Sequence, residues 1–136
     1  LVLVDTGVFV AAADRDTADH ARCSVVLREH GGSLTVAAPV VRETAWLIER
    51  RLGPGAEARF LRLVTSRRID VVDLTLEDYA RCVELIEVYA DLGLGFVDAS
   101  VVTIGERLGV TELATLNRRD FTVVRPRHVD AFDILP

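Results

Sequence analysis

Short apolar runs alternate with longer stretches of helical spacing along this chain. Leu1-Val2-Leu3-Val4 ends at Asp5; a short β-branched run of this kind reads as a strand buried on both faces. Thr6-Gly7 reads as a turn and Val8–Ala13 as an apolar helix. After polar residues 14–19, a second helix runs to His30 with Ala21, Val25, Val26 and Leu27 as its apolar positions, and Gly31-Gly32 stops it. Ser33–Ala37 is a second strand. Pro39 then takes the first turn of a helix, where its missing N–H is no loss. Val40, Val41, Thr44, Leu47, Ile48 and Leu52 fall on the inner side of that helix, and Gly53-Pro54-Gly55 ends it. Ala56–Ser66 predicts a helix with Phe60, Leu61, Leu63 and Val64 as core, and Ile69–Leu74 a third strand. Leu76, Ala80, Val83, Ile86 and Ala90 have helical spacing after Thr75, and Thr75-Leu76-Glu77-Asp78 resembles a capping box with Asp in the Glu position. Two glycines break the chain at 91–95. Phe96–Leu108 predicts a helix closed by Gly109, Glu112–Leu116 a strand, and the tail from Thr122 an edge strand.

Strands alternating with helices predict an α/β fold: one domain over residues 1–136, with a central, mostly parallel sheet between helical layers. In such sheets, sites form at the carboxyl ends of strands, where the strand order switches. Asp5 stands at one such end; Thr115 and Asn117 stand at another.

Half of the residues are hydrophobic, enough for a substantial core. The net charge of −5 argues against a broadly basic nucleic-acid binder. All 16 basic residues are Arg, a composition that fits a GC-rich genome and also phosphate recognition by planar guanidinium forks. Two cysteines, Cys23 and Cys82, are too few for a disulfide framework or a thiolate zinc site; they read as buried free thiols of a reducing cytoplasm. No stretch has the length of a membrane span, and no signal-peptide pattern opens the chain.

The carboxylates change the picture. Asp5, Glu43 and Asp98 each lie in sequence that otherwise reads as core. A buried, unpaired carboxylate is costly, and crowded carboxylates raise one another's pKa values. A divalent cation removes both penalties. All-oxygen ligands favour Mg²⁺ or Mn²⁺ over Zn²⁺; His20, His30 and His128 offer no paired zinc-ligand spacing. Glu43 and Asp98 also fall near predicted helix starts, where negative charge is favourable for its own sake.

Four motifs then occur in order: Val4-Asp5-Thr6-Gly7; Pro39-Val40-Val41-Arg42-Glu43; Tyr89-Ala90-Asp91-Leu92-Gly93-Leu94-Gly95-Phe96-Val97-Asp98-Ala99-Ser100; and Ala114-Thr115-Leu116-Asn117-Arg118-Arg119-Asp120-Phe121. With these the chain resembles, over nearly its whole length, the PIN-domain ribonucleases and among them the VapC toxins of type II VapBC toxin–antitoxin pairs. The resemblance implies a three-layer PIN-like fold and a metal-dependent endoribonuclease leaving a 5′-phosphate and a 3′-hydroxyl. It implies that Asp5, Glu43 and Asp98 bind Mg²⁺ or Mn²⁺, which activates water and stabilises charge on the phosphodiester. Thr6 would orient Asp5, Thr115 would position a phosphate or water, and Asp91 would support the site from outside it. Many relatives carry Asp where this chain has Asn117, so the fourth catalytic position is neutral here. Asp120 could reach inward, or it could pair with Arg118 or Arg119 at the surface. A cognate VapB antitoxin, an RNA substrate (tRNA, mRNA or rRNA), a homodimer and a cytoplasmic location are implied as well.

Arg42, Arg118 and Arg119 are the basic residues placed to meet RNA, and Arg50, Arg51, Arg59, Arg62, Arg67 and Arg68 make the third and fourth helices basic. Trp46 could stack on a base or face core or partner. His20 reads as a polar residue at a helix start. Phe9 to Ala13 would combine core with a groove for an antitoxin segment, on the resemblance alone. Two rival readings stand beside the nuclease: a catalytically weak or inactive PIN-fold binding module, which Asn117 favours, and a phosphatase with Asp5 as nucleophile. Gly7 opposes the latter, because such enzymes usually carry a second Asp at that place.

Overall fold

The computed structural model describes all 136 residues. Five strands form one sheet: β1 (Val2–Val4), β2 (Leu34–Ala37), β3 (Ile69–Val72), β4 (Glu112–Ala114) and β5 (Asp133–Leu135). Their order is β3-β2-β1-β4-β5 and every pairing is parallel. β1 is central, with Leu3 opposite Thr35 on β2 and Leu113 on β4. Every residue of β1 and β2 is buried, so both faces of the sheet are covered, as parallel sheets require.

The connecting helices are α1 (Thr6–Ala13), α2 (His20–Glu29), α3 (Ala38–Leu52), α4 (Pro54–Thr65), α5 (Leu76–Val88), α6 (Phe96–Leu108) and α7 (Arg118–Val123). The expected turn at Thr6-Gly7 is absent: α1 begins at Thr6 because Asp5 caps it directly. Pro39 lies in the first turn of α3, as its chemistry favours. A 3₁₀ turn, Ala90–Leu92, fills the glycine break; Gly93 ends it at φ 76° and Gly95 stands as N-cap of α6. α6 packs tightly, since a Cβ at Gly105 would meet the Phe132 ring at 2.9 Å and Leu3 at 3.0 Å.

Several expected apolar positions are solvent-exposed: Leu52 and Leu61, on the outer sides of α3 and α4, and Leu76, Ala80 and Val83 on α5. On α5 the phase itself differs. Its buried residues are Asp78, Cys82 and Leu85, and Leu76 is 84% exposed. Asp78 completes the capping box with Thr75 and also receives Arg107 of α6, Nη2–Oδ2 2.9 Å. That ion pair draws a polar residue to the inner side. Arg81 joins Glu106 of α6 in a second α5–α6 pair, at 3.0 Å. Cys23 and Cys82 are buried free thiols. No helix is long and apolar enough to cross a membrane.

Candidate active site

The strand order reverses between β1 and β4, and the acids gather at the carboxyl ends of these two strands. Asp5 directly follows β1. Its N–H donates to the Ala114 carbonyl, 2.9 Å, extending the β1–β4 pairing by one residue. Its carboxylate accepts from the Thr6 N–H at Oδ1, 2.8 Å, and from the Thr115 hydroxyl at Oδ2, 2.8 Å. Thr6 therefore orients Asp5 through its backbone; its own hydroxyl is buried without a partner. Thr115, expected to meet a phosphate or water, is 1% exposed and engaged inside the protein. Its oxygen also accepts from the Asn117 N–H, 3.0 Å, so one hydroxyl ties β1, β4 and the start of α7 together.

Glu43 sits in the second turn of α3 and Asp98 in the first turn of α6, both half-buried. Burial lifts the Asp5 carboxyl above its ordinary range, partly offset by the Thr115 and Thr6 hydrogen bonds. Burial and then the charge of Asp5 lift Glu43, with Arg42 pulling the other way. Asp98 rises to about 7, through burial first and then through Asp5, Asp120 and Glu43. Asp98 thus feels three acids and no base, the mark of a site short of positive charge.

Asp120 is not the exposed acid that its neighbours Arg118 and Arg119 suggest. It is 8% exposed and lies in the first turn of α7. The Asn117 amide donates to its Oδ2, 2.9 Å, and the Arg119 guanidinium to its Oδ1, 3.0 Å. These two partners hold its pKa below the ordinary value, Asn117 foremost. Asn117 is the N-cap of α7, with its side-chain oxygen toward the Asp120 N–H at 3.5 Å. The neutral fourth position is thus occupied in fixing Asp120. The sequence left Asp120 between reaching inward and pairing with Arg118 or Arg119; it is buried and paired with Arg119 at once.

The remaining expected residues lie further out. Asp91 is exposed on the 3₁₀ turn and makes no hydrogen bond to any of the acids. Arg118 donates to the Pro136 carbonyl. Arg42 is exposed, with its guanidinium 5.8 Å from the Trp46 ring centroid. His20 opens α2 and contacts the Ala11 carbonyl through Nδ1, 2.9 Å.

The donor chemistry fits a hard divalent cation. Asp5 and Asp98 lack basic partners, and every available ligand atom is oxygen. The side chains do not form a closed cage, as no three acidic, His or Cys groups stand in ligating geometry. A hard cation held here would take one or two carboxylates directly and complete its shell with water.

Comparison with known proteins agrees with this architecture. The family model for the PIN domain matches residues 2–125. Ribonuclease VapC26 of Mycobacterium tuberculosis is 27% identical over 135 residues, covering 99% of this chain and all of that protein. Among solved structures, M. tuberculosis VapC20, described as a sarcin–ricin loop cleaving toxin, superposes with a TM-score of 0.77 at 20% identity, over 83% of this chain and 87% of that one. VapBC2 from Rickettsia felis, bound to a DNA fragment from its promoter, matches at TM-score 0.70 and 14% identity, over 99% and 98%. With its acids gathered at the switch of a five-stranded parallel sheet, and with a match over almost all of its length, the chain belongs to the PIN-domain family.

Proposed function

We propose that this protein is a VapC-type, Mg²⁺- or Mn²⁺-dependent endoribonuclease toxin. It hydrolyses RNA phosphodiester bonds as a single PIN domain, in the cytoplasm, and is neutralised by a cognate VapB-type antitoxin. The observation that carries the reading is the crowding of Asp98 by Asp5, Asp120 and Glu43, with no base paired to Asp98 or Asp5 themselves. The 27% identity to a ribonuclease along the full chain supports the substrate class.

Asp5, Glu43 and Asp98 would hold the cation. When bound, it activates water for in-line attack and stabilises charge on the phosphate. Thr6 and Thr115 fix the Asp5 carboxylate and so keep one ligand preorganised. Asp120, held by Asn117, supplies the fourth negative charge that Asn117 lacks. Arg42 and Arg119 lie beside the acids and would take the flanking phosphates. The cavity of about 600 Å³ lined by Phe9, Ala12, His20, Ile48, Phe60 and Leu63 is where an antitoxin segment would sit. Trp46, Tyr79 and Phe96, all exposed, are available to RNA or to the second subunit of a homodimer.

Incubation of the purified protein with total RNA, with Mg²⁺ or with EDTA, followed by mapping of new 5′ ends, tests the proposal. Wild type should produce discrete 5′-phosphate ends only with metal, and Asp98→Ala should produce none. Cleavage retained in Asp98→Ala would reject the site. Metal binding with no cleavage of any RNA would favour the binding-module reading.

A further inference from the structure

We propose that the groove between α2 and α4 selects its partner by charge: it takes a helical segment whose apolar stripe is flanked on both sides by Asp or Glu. The proposal rests on the toxin reading, in which that partner is the antitoxin, and states what chemistry the antitoxin segment must carry. Two cavities, of about 600 and about 530 Å³, share Phe9, Ala12, Leu27 and Leu63 as their floor, so they form one continuous groove. His20 and Ala56, near the starts of α2 and α4, border the first; Arg28 and Arg68, at or just beyond the ends of the same helices, border the second. The groove therefore follows both helices lengthwise. Helices of 10 and 12 residues give it a length of about 15–18 Å, roughly three turns of a bound helix.

The rim is charged. Arg15 and Arg59 border one half and Arg28 and Arg68 the other, and no acid borders either. All four are exposed and none forms an ion pair, in a chain with 21 acids for 16 arginines. Elsewhere Arg22, Arg81, Arg107, Arg119 and Arg127 each hold a carboxylate. Four uncompensated guanidiniums around an apolar floor are complementary to apolar side chains set between acidic ones. RNA does not meet that pattern. Phe9 and Phe60 are buried and packed edge to face, with centroids 5.2 Å apart, so the groove offers no open ring on which a base can stack. An amphipathic helix meets it: residues at i, i+3, i+4 and i+7 cover the floor, and Asp or Glu beside that stripe reaches both rims.

Fluorescein-labelled helical peptides with one shared Leu stripe, flanked by Glu or by Gln, test this by anisotropy against the whole protein. The Glu peptide should bind about 30-fold more tightly than the Gln peptide, the sum of four modest exposed ion pairs, and 1 M NaCl should remove most of that difference. Arg28→Glu combined with Arg68→Glu should reverse the choice at one end: a peptide with Lys at that end and Glu at the other should then bind about 10-fold better than the all-Glu peptide. Equal binding of the Glu and Gln peptides, no binding of either, or an unchanged choice in the double variant would overturn the proposal. Displacement of the Glu peptide by single-stranded RNA would make the groove a polyanion site, and loss of a dimer in the double variant, seen by sedimentation, would make it a contact between copies; either result rejects the proposal. RNA cleavage in Mg²⁺ is measured on the same wild-type sample. Cleavage without charge selection leaves the nuclease and removes the groove; charge selection without cleavage does the reverse.

Discussion

Thr115 shows how much of a site can hang on one buried hydroxyl. It donates to Asp5 and accepts from the Asn117 N–H. Thr115→Val keeps the shape and removes both bonds. Activity should fall about 10-fold or more, as for other groups that orient a metal ligand, and stability by about 1–3 kcal/mol for the polar groups left unsatisfied. Thr115→Ser should recover most of both, read by initial rates and by urea unfolding. Asp98 gives a pH dependence of definite sign. Its folded pKa of about 7 lies above the ordinary 3.8, so the folded protein binds more protons than the unfolded chain between these values. Its stabilising contribution is complete below the ordinary carboxylate pKa and is lost as pH rises through 7. In EDTA, wild type should lose more stability between pH 5 and pH 8 than Asp98→Asn, as followed by urea unfolding. Added Mg²⁺ should restore wild type at pH 8, because the cation neutralises the same repulsion.

Among the elements, α5 is fastened at its first turn. Thr75 and Asp78 form a reciprocal capping box, and Asp78 also binds Arg107. Thr75→Ala should cost about 1 kcal/mol, the usual value of an N-cap. Asp78→Ala loses the cap and leaves Arg107 only the Asp73 carbonyl, 2.8 Å, so it should cost about 2 kcal/mol or more; the order of the two urea midpoints decides the point. The same residue explains what the sequence left hidden. β1 was legible as an unbroken apolar run ended by Asp5, β2 as a short run after Gly31-Gly32, and α6 as a helical stretch between Gly95 and Gly109. The phase of α5 was not, because its inner face is set by Asp78 and its partner 29 residues away. Local spacing points to Leu76 and Val83, both exposed. Asp5, Glu43 and Asp98 stood out as acids in apolar sequence. Asp120 did so less, since its place is set by hydrogen bonds from the Asn117 amide and the Arg119 guanidinium. Tyr79 and Phe96 meet only through the packing of α5 on α6, and nothing local announced them.

For the molecule as a whole, the net charge of −5 gives no long-range attraction to RNA. Arg42 and Arg119 are the cations beside the acids, with Arg50 over the Trp46 ring. Few phosphates can be neutralised, so log affinity against log salt should slope by only about −2, since each phosphate contact on a single strand contributes about −0.7. A slope of about −5 or steeper, from fluorescence titrations at several salt concentrations, would require a basic track elsewhere, with the Arg-rich α3 and α4 as the first place to look.

β1 lies at the centre of the sheet, and the hydroxyl that fixes its acid lies 110 residues further along the chain. Synthesis delivers the acid early and its anchor near the end. β1 can pair with β2 on a growing chain, but its other edge stays open until β4 emerges. A nascent chain halted before Thr115 carries Asp5 unheld, and Asp120 does not yet exist. By its topology, the protein withholds a finished site from the ribosome that is making it.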